Sequence, residues 1–326
     1  MEALRDPACG PVLAGAPPEL FVVLNPGSGA SAADEKRAIL EAVFREAGQP
    51  FRFVPLEATG ELPRACADAA ARACECGGVL VAVGGDGTLN TVARAAWERG
   101  CAVGLLPQGT FNLFAREHGI PLELEAAARA LLQAQPEPVQ VAEVNGQLFL
   151  VNASLGLYPQ LLQDREAFKQ QFGRRRWVAL LAGLKTIFEW RRQLTLEIEL
   201  DGERRVLRTP TLFVGNNRLQ LDRIGMEPRI AARVGEGRLA ALIARPIGTG
   251  AMVWLMLKGA FGRLGDPEQI DSFAFRTLTV RVLGRRRVRI AADGEVGVLD
   301  TPLHFAVAAR PLRLLLPRPE DRVPVE

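Results

Sequence analysis

Three short segments carry the polar, glycine-rich chemistry of this chain. They are Asn25-Pro26-Gly27-Ser28-Gly29, Gly84-Gly85-Asp86-Gly87-Thr88-Leu89-Asn90 and Gly109-Thr110-Phe111-Asn112. Glycine admits positive φ and lets backbone N–H groups come close to a ligand. Where such a turn opens a helix, free N–H groups and the positive end of the helix dipole add up to an anion site, above all for phosphate. Thr88 can cap such a helix or touch a phosphate oxygen. Asp86 would be repelled by phosphate unless a cation lay between them. Mg²⁺ suits that place, because it binds through one or two carboxylates plus phosphate oxygens. No Gly-Lys-Ser/Thr follows, so the loop is not a Walker loop. The dinucleotide fingerprint is absent too. Gly87-Thr88-Leu89-Asn90 recurs as Gly109-Thr110-Phe111-Asn112, each copy following an apolar run and opening a helix. In a doubly wound sheet, the carboxyl ends of neighbouring strands share one ligand crevice.

The elements needed to hold these turns are legible. Residues 20–24, 51–55, 79–83 and 102–106 read as strands, three of them apolar throughout. Helical patterning covers 33–47, 62–74, 89–98 and 111–118. Apolar strands alternating with amphipathic helices indicate a mostly parallel sheet covered on both faces. The character changes near Gln135-Pro136-Glu137-Pro138. Short β-like runs follow at 139–144, 148–151, 194–200, 206–214, 238–244, 277–282, 288–291 and 302–307. Asn145-Gly146 and Asp201-Gly202 read as hairpin turns. The expected architecture is an α/β nucleotide-binding domain over 19–137, then an antiparallel β-sandwich over 138–309 with helical insertions near 174–190 and 248–264. Residues 1–18 are expected to be a loose arm, and the tail 310–326 to pack back on the first domain.

Composition removes several function classes. The 326 residues include 40 Lys+Arg and 37 Asp+Glu, a net charge of +3, which argues against a nucleic-acid specialist. Lys occurs only at 36, 169, 185 and 258, so Arg supplies the rest of the basic residues. Cys9, Cys66, Cys74, Cys76 and Cys101 do not show zinc-ligand spacing and read as reduced thiols. Two histidines, His118 and His304, read as structural. No basic start with a long apolar run and no spanning apolar stretch are present, so a cytoplasmic or peripheral protein is expected. The stretch from Arg174 to Arg192 places Trp177 and Trp190 beside arginines at both ends of an apolar run. It fits either the membrane interface or an ordinary helix on the sandwich.

At the glycine turns the sequence resembles the diacylglycerol kinase catalytic family of bacterial lipid kinases, related to sphingosine kinases. The likeness is carried by 25–29 (NPGSG), 84–90 (GGDGTLN), 106–115 (LPQGTFNLFA), 149–158 (FLVNASLGLY), 212–217 (LFVGNN) and 293–295 (DGE). It spans about residues 19–316. The resemblance implies ATP-dependent phosphorylation of a lipid hydroxyl, with ATP and Mg²⁺ as cofactors. It implies ATP binding by Asn25, Gly84, Gly85, Asp86, Gly87, Thr88, Thr110 and Asn112. It makes Glu295 the general base, whereas local sequence alone reads Asp293-Gly294-Glu295 as a hairpin turn. Asp86 is the expected ligand of the catalytic metal and Glu236 of a structural one. Leu113 departs from the Asp that many bacterial members carry after the second turn's Asn. The implied partners are a lipid substrate, a membrane surface met through Arg174 to Arg192, and a second copy in a homodimer. The acceptor lipid stays open. A non-catalytic nucleotide-binding regulator is the rival reading. A NAD kinase is a weaker one, since its Thr-Pro-Thr-Gly-Ser segment has no counterpart here.

Overall fold

The computed structural model describes residues 17–25, 30–56, 61–156, 193–245 and 270–324. Pro26 to Gly29, the stretch from Arg174 to Arg192, the 248–264 segment and most of the N-terminal arm lie outside them. The described residues divide into two compact units. One runs to Val141 and resumes at Ala309, and the other is Ala142–Ala308.

In the first unit, the apolar runs become β1 (Leu20–Leu24), β3 (Val79–Gly84) and β4 (Ala102–Pro107), joined by the short β2 (Phe51–Phe53). Between them come α1 (Ala30–Glu46), α2 (Leu62–Glu75) and α3 (Asp86–Arg99). Then follow α4 (Leu113–Glu117), α5 (Leu124–Gln133) and β5 (Gln135–Val139). The C-terminal β18 (Leu312–Leu316) completes a sheet of order β2-β1-β3-β4-β18-β5. Every pair is parallel except β18 with β5. Strand side chains alternate between faces. Leu20, Val22, Val79, Val81 and Leu106 therefore meet Leu40, Val43 and Phe44 of α1 and Leu124 and Leu131 of α5 in one core. Phe21, Val23, Leu80 and Ala82 are buried as well. The strand order turns back on itself at β1, which has β2 on one side and β3 on the other. A crevice outside the carboxyl ends of β1 and β3 is where an open α/β sheet binds its ligand.

Residues 135–138 read as a composition boundary, but the structure makes them an edge strand. Pro136 and Pro138 fit there, because proline has no N–H to donate and is tolerated at a sheet edge. The tail also bonds back to this unit, where Val323 N donates to Gly119 O at 2.9 Å.

In the second unit two antiparallel six-stranded sheets enclose a common core. The first sheet holds β6 (Ala142–Val144), β7 (Gln147–Phe149), β9 (Leu194–Leu200), β10 (Glu203–Thr209), β14 (Thr277–Val282) and β17 (Leu303–Val307). The second has the order β13-β12-β11-β8-β15-β16. Its strands are β8 (Asn152–Gly156), β11 (Thr211–Gly215), β12 (Leu239–Ala244), β13 (Ile270–Phe275), β15 (Arg287–Ala292) and β16 (Glu295–Asp300). Leu196, Ile198, Val280 and Phe305 from one sheet pack with Leu155, Leu212, Ile243 and Ile290 from the other. Three hairpins turn on Asn145-Gly146, Asp201-Gly202 and Asp293-Gly294, with positive φ at both central residues of each. That is the mirror-image turn whose twist suits paired strands. Two short helices were not legible in the sequence, α6 (Arg218–Arg223) and α7 (Pro228–Ala231). With the link between them they bury Leu221, Met226 and Ala231 against Ala240 of β12. Each is under two turns long, too short to show a helical period. No helix among the described residues is long and apolar enough to cross a membrane.

Candidate active site

The first glycine turn is tighter than its sequence suggests. β3 ends at Gly84, and Gly85 is the helix N-cap in an extended conformation (φ −80°, ψ 179°). Asp86 is already the first residue of the 14-residue α3. Gly87, Thr88, Leu89 and Asn90 are thus the first turn of the helix, not its approach. A Cβ on Gly84 would stand 2.8 Å from Thr88 Cβ, so the strand-to-helix corner needs glycine there. Thr88 is buried, and its Oγ1 accepts a hydrogen bond from Asn25 Nδ2 at 2.8 Å. Asn25 N also donates to Val83 O at 3.3 Å. Asn25 and Thr88 therefore tie the end of β1 to the start of α3, and the α3 N-terminus faces the β1/β3 crevice. Its first N–H groups have no intrahelical acceptors, which makes it an anion site.

The second turn is built differently. Five residues separate β4 from α4, and Gln108 N donates to Gly84 O at 2.7 Å. Gly109 lies flat against Gly85: a Cβ added to it would come within 2.8 Å of Gly85 Cα and 2.7 Å of Asn112 Oδ1. Asn112 is buried in the left-handed region at φ 48°. Its side chain closes the turn twice, accepting from Gly109 N at 2.9 Å and donating to Gly109 O at 2.9 Å. Its backbone N–H donates to Asp86 Oδ2 at 3.1 Å. Asn112 therefore braces the second turn through one side-chain N–H, its amide oxygen and its backbone N–H. Thr110 and Phe111 stand exposed, and Leu113 is half-buried at the start of α4. So the structure brings together Asn25, Gly84, Gly85, Asp86, Gly87, Thr88 and Asn112. Asp86 is the latch between the two turns, and its negative charge sits favourably at a helix N-terminus.

The fit of a metal follows from the donors. Among the described residues no three of His, Cys, Asp and Glu converge. Asp86 has one carboxylate oxygen engaged by the Asn112 backbone N–H. One carboxylate and a phosphate are enough for Mg²⁺, which keeps several of its waters. The residues fit a magnesium ion carried in on a nucleotide, not a cage of protein ligands. Glu236 belongs to the other unit and is exposed in the turn that follows α7.

In the second unit, Asp293-Gly294 is a hairpin tip, as the local sequence indicates, and Glu295 begins the edge strand β16 with its side chain exposed. Asp293 does something the sequence did not signal. Its Oδ2 accepts from Leu150 N at 2.6 Å, and its Oδ1 accepts from Val151 N at 2.8 Å and Asn152 N at 3.0 Å. Asn216 donates from its side chain to Leu150 O at 2.9 Å and from its backbone to Val151 O at 2.8 Å. Asn152 Nδ2 donates to Gln220 Oε1 at 3.0 Å. The segments FLVNASLG, LFVGNN and DGE thus meet at one polar node. Sequence reasoning singled out all three but missed Gln220 and the clamp. Only the shared excess of small polar residues beside apolar strands could have flagged it.

A third feature lies beside the second turn. His118 ends α4 with an inaccessible Nε2 that has no partner, edge-on to the Phe114 ring at 4.7 Å. Burial first, then the charge of Arg322, lowers its pKa from 6.5 to about 4. A helix C-terminus would favour the imidazolium, but α4 has only five residues and burial wins. Arg322 itself donates to Pro317 O and Glu137 Oε1.

Residues 19–144 match the diacylglycerol kinase catalytic domain. A curated protein of Pseudomonas aeruginosa, "Probable lipid kinase YegS-like", is 43% identical over 130 residues. That alignment covers 39% of this chain and 42% of the relative, less than half its length. The "Diacylglycerol kinase" of Bacillus subtilis is 26% identical over 308 residues, 91% of this chain and 96% of the relative. The crystal structure of a diacylglycerol kinase from Bacillus anthracis superposes with a TM-score of 0.63 at 19% identity, over 93% of this chain and 97% of that one. At that identity the superposition speaks for the two-part fold.

Proposed function

Since residues 19–144 match the diacylglycerol kinase catalytic domain, we propose that the chain is an ATP-dependent lipid kinase. It phosphorylates a hydroxyl of a lipid such as diacylglycerol or a sphingoid-type long-chain alcohol. One observation carries the reading: a long helix begins at Asp86, on glycines, at the β1/β3 switch point. Phosphoryl transfer asks a protein mainly for positioning and charge stabilisation. The α3 N-terminus binds the nucleotide phosphates through backbone N–H groups, and Gly109 packed on Gly85 keeps side chains out of their way. Magnesium bound with the nucleotide would neutralise phosphate charge, and Asp86 would hold it. The lipid oxygen bonds to the γ-phosphorus as the bond to ADP breaks, and Glu295 takes the hydroxyl proton. An exposed carboxylate suits that role, because it can lose its proton to solvent afterwards.

The test gives purified protein radiolabelled ATP, Mg²⁺ and a panel of lipid alcohols. Labelling of at least one lipid is expected, with Glu295→Gln reducing its turnover by about 100-fold or more. Turnover that survives Glu295→Gln overturns the base assignment. ATP binding with no lipid labelled would favour the regulator reading. The proposal extends to peripheral contact with an anionic membrane through the stretch from Arg174 to Arg192. Flotation with anionic vesicles tests this part, and no salt-sensitive binding would sink it.

A further inference from the structure

Two acids share the Asp-Gly-Glu hairpin, and the geometry assigns them different tasks: we infer that Asp293 is a positioning residue that acts through Glu295 and takes no part in proton transfer itself. The inference rests on the general-base reading of Glu295. Both carboxylate oxygens of Asp293 are occupied by three consecutive backbone N–H groups, at 2.6, 2.8 and 3.0 Å. Backbone donors of this kind stabilise the ionised form and hold it in place. The same residue donates its own N–H to Asn152 O at 2.9 Å. It sits in the left-handed region at φ 48°, followed by Gly294 at φ 87°. Asp tolerates that conformation better than most residues, because its short side chain can bond locally.

The consequence reaches Glu295 through two short links. The turn is only two residues long, and Glu295 pairs directly with Ala292 across it. Glu295 lies on β16, an edge strand with one neighbour, and its own side chain is exposed. Among the described residues, the backbone of Glu295 is held by its pairing with β15 and by the hairpin tip, the end of that ladder. The clamp fixes that tip to residues 150–152, which Asn216 and Gln220 hold from the other side. A base must stay within hydrogen-bond reach of the proton it removes, so loosening the tip costs turnover without touching nucleotide binding.

The experiment is a double-mutant cycle on the full chain, read by lipid phosphorylation with the best acceptor of the panel and by urea denaturation. Asp293→Asn keeps one acceptor oxygen and suits the left-handed turn, but it loses at least one of the three bonds. It is expected to lower kcat at least about 10-fold and leave the KM for ATP within about 2-fold. In the Glu295→Gln background the same change is expected to cost less than about 2-fold, since the group it positions is gone. Multiplicative losses would overturn the inference, because Asp293 would then act independently. So would a kcat loss matched by Ile198→Val, a core change in the same unit that lowers stability alone. If Glu295→Gln by itself keeps near-normal turnover, the general-base reading fails first, and that single arm separates the two failures.

Discussion

Gly87-Thr88-Leu89-Asn90 and Gly109-Thr110-Phe111-Asn112 are near-copies in sequence and opposites in structure. The first lies wholly inside α3, while the second is a free-standing turn before α4. Thr88 is buried and bonded to Asn25, whereas Thr110 is exposed. Asn112 closes its own turn with both amide atoms, whereas Asn90 Oδ1 is buried without a partner. One copy presents a helix N-terminus, and the other braces it through Asp86. The difference teaches that a repeated motif need not repeat a role. β3 ends one residue before its helix and β4 five residues before, and that spacing alone decides whether the four residues are helical or not.

The sharpest way to break this comparison is to cut the latch. Asp86→Ala removes one hydrogen bond and, on the proposed function, the carboxylate that would hold the nucleotide's magnesium. Turnover is expected to fall about 100-fold or more, while urea denaturation shifts by only about 1 kcal/mol. Equal losses in both measurements would make Asp86 merely structural.

Acid should act on the second copy's helix and not the first's. His118 keeps a pKa of about 4 in the folded chain against 6.5 unfolded. Between those values only the unfolded chain takes up the proton. Its contribution, on the order of 3 kcal/mol, is full above about pH 6.5 and is lost as pH falls to about 4. Denaturation of the wild type and His118→Gln across that window checks it, and the variant's profile is expected to be flatter. A wild-type profile as flat as the variant's would remove His118 from the account.

Asn112→Ala deletes both bonds to Gly109 and puts alanine in the left-handed region. A loss of roughly 2–3 kcal/mol is expected. Asn90→Ala removes an oxygen that has no partner and is expected to cost under about 1 kcal/mol. Comparable melts for the two variants would erase the distinction. The smallest contrast is Thr88→Val, expected to cost about 1 kcal/mol through the lost bond from Asn25 Nδ2, against Thr110→Val, within about 0.5 kcal/mol on an exposed turn.

Much of the fold was legible because its signals are local. Continuous apolar runs at 20–24, 79–83 and 102–106 imply buried parallel strands, and the structure aligns them side by side. Asn145-Gly146, Asp201-Gly202 and Asp293-Gly294 each announce a mirror-image turn. The sequence showed the change of character near Gln135-Pro136-Glu137-Pro138, but not that these residues pair with β18 as an edge strand, since a pairing partner far along the chain leaves no local signal. The short helices α6 and α7 left no periodic trace. At the candidate site the glycine turns and Asp86 were visible, but the brace role of Asn112 was not.

By itself the sequence determined where positive φ was favoured, which runs had to be buried, and that glycine turns follow the ends of β3 and β4. Those properties depend on a few neighbouring residues and their backbone preferences. Only the tertiary structure decided what each polar group bonds to. Asp86 reaches Asn112 because β3 and β4 are neighbours, and Asp293 reaches residues 150–152 because β15 pairs with β8. A carboxylate's acceptors are filled by whatever strand end stands beside it, and that is set by sheet order, not by the chain's own alphabet.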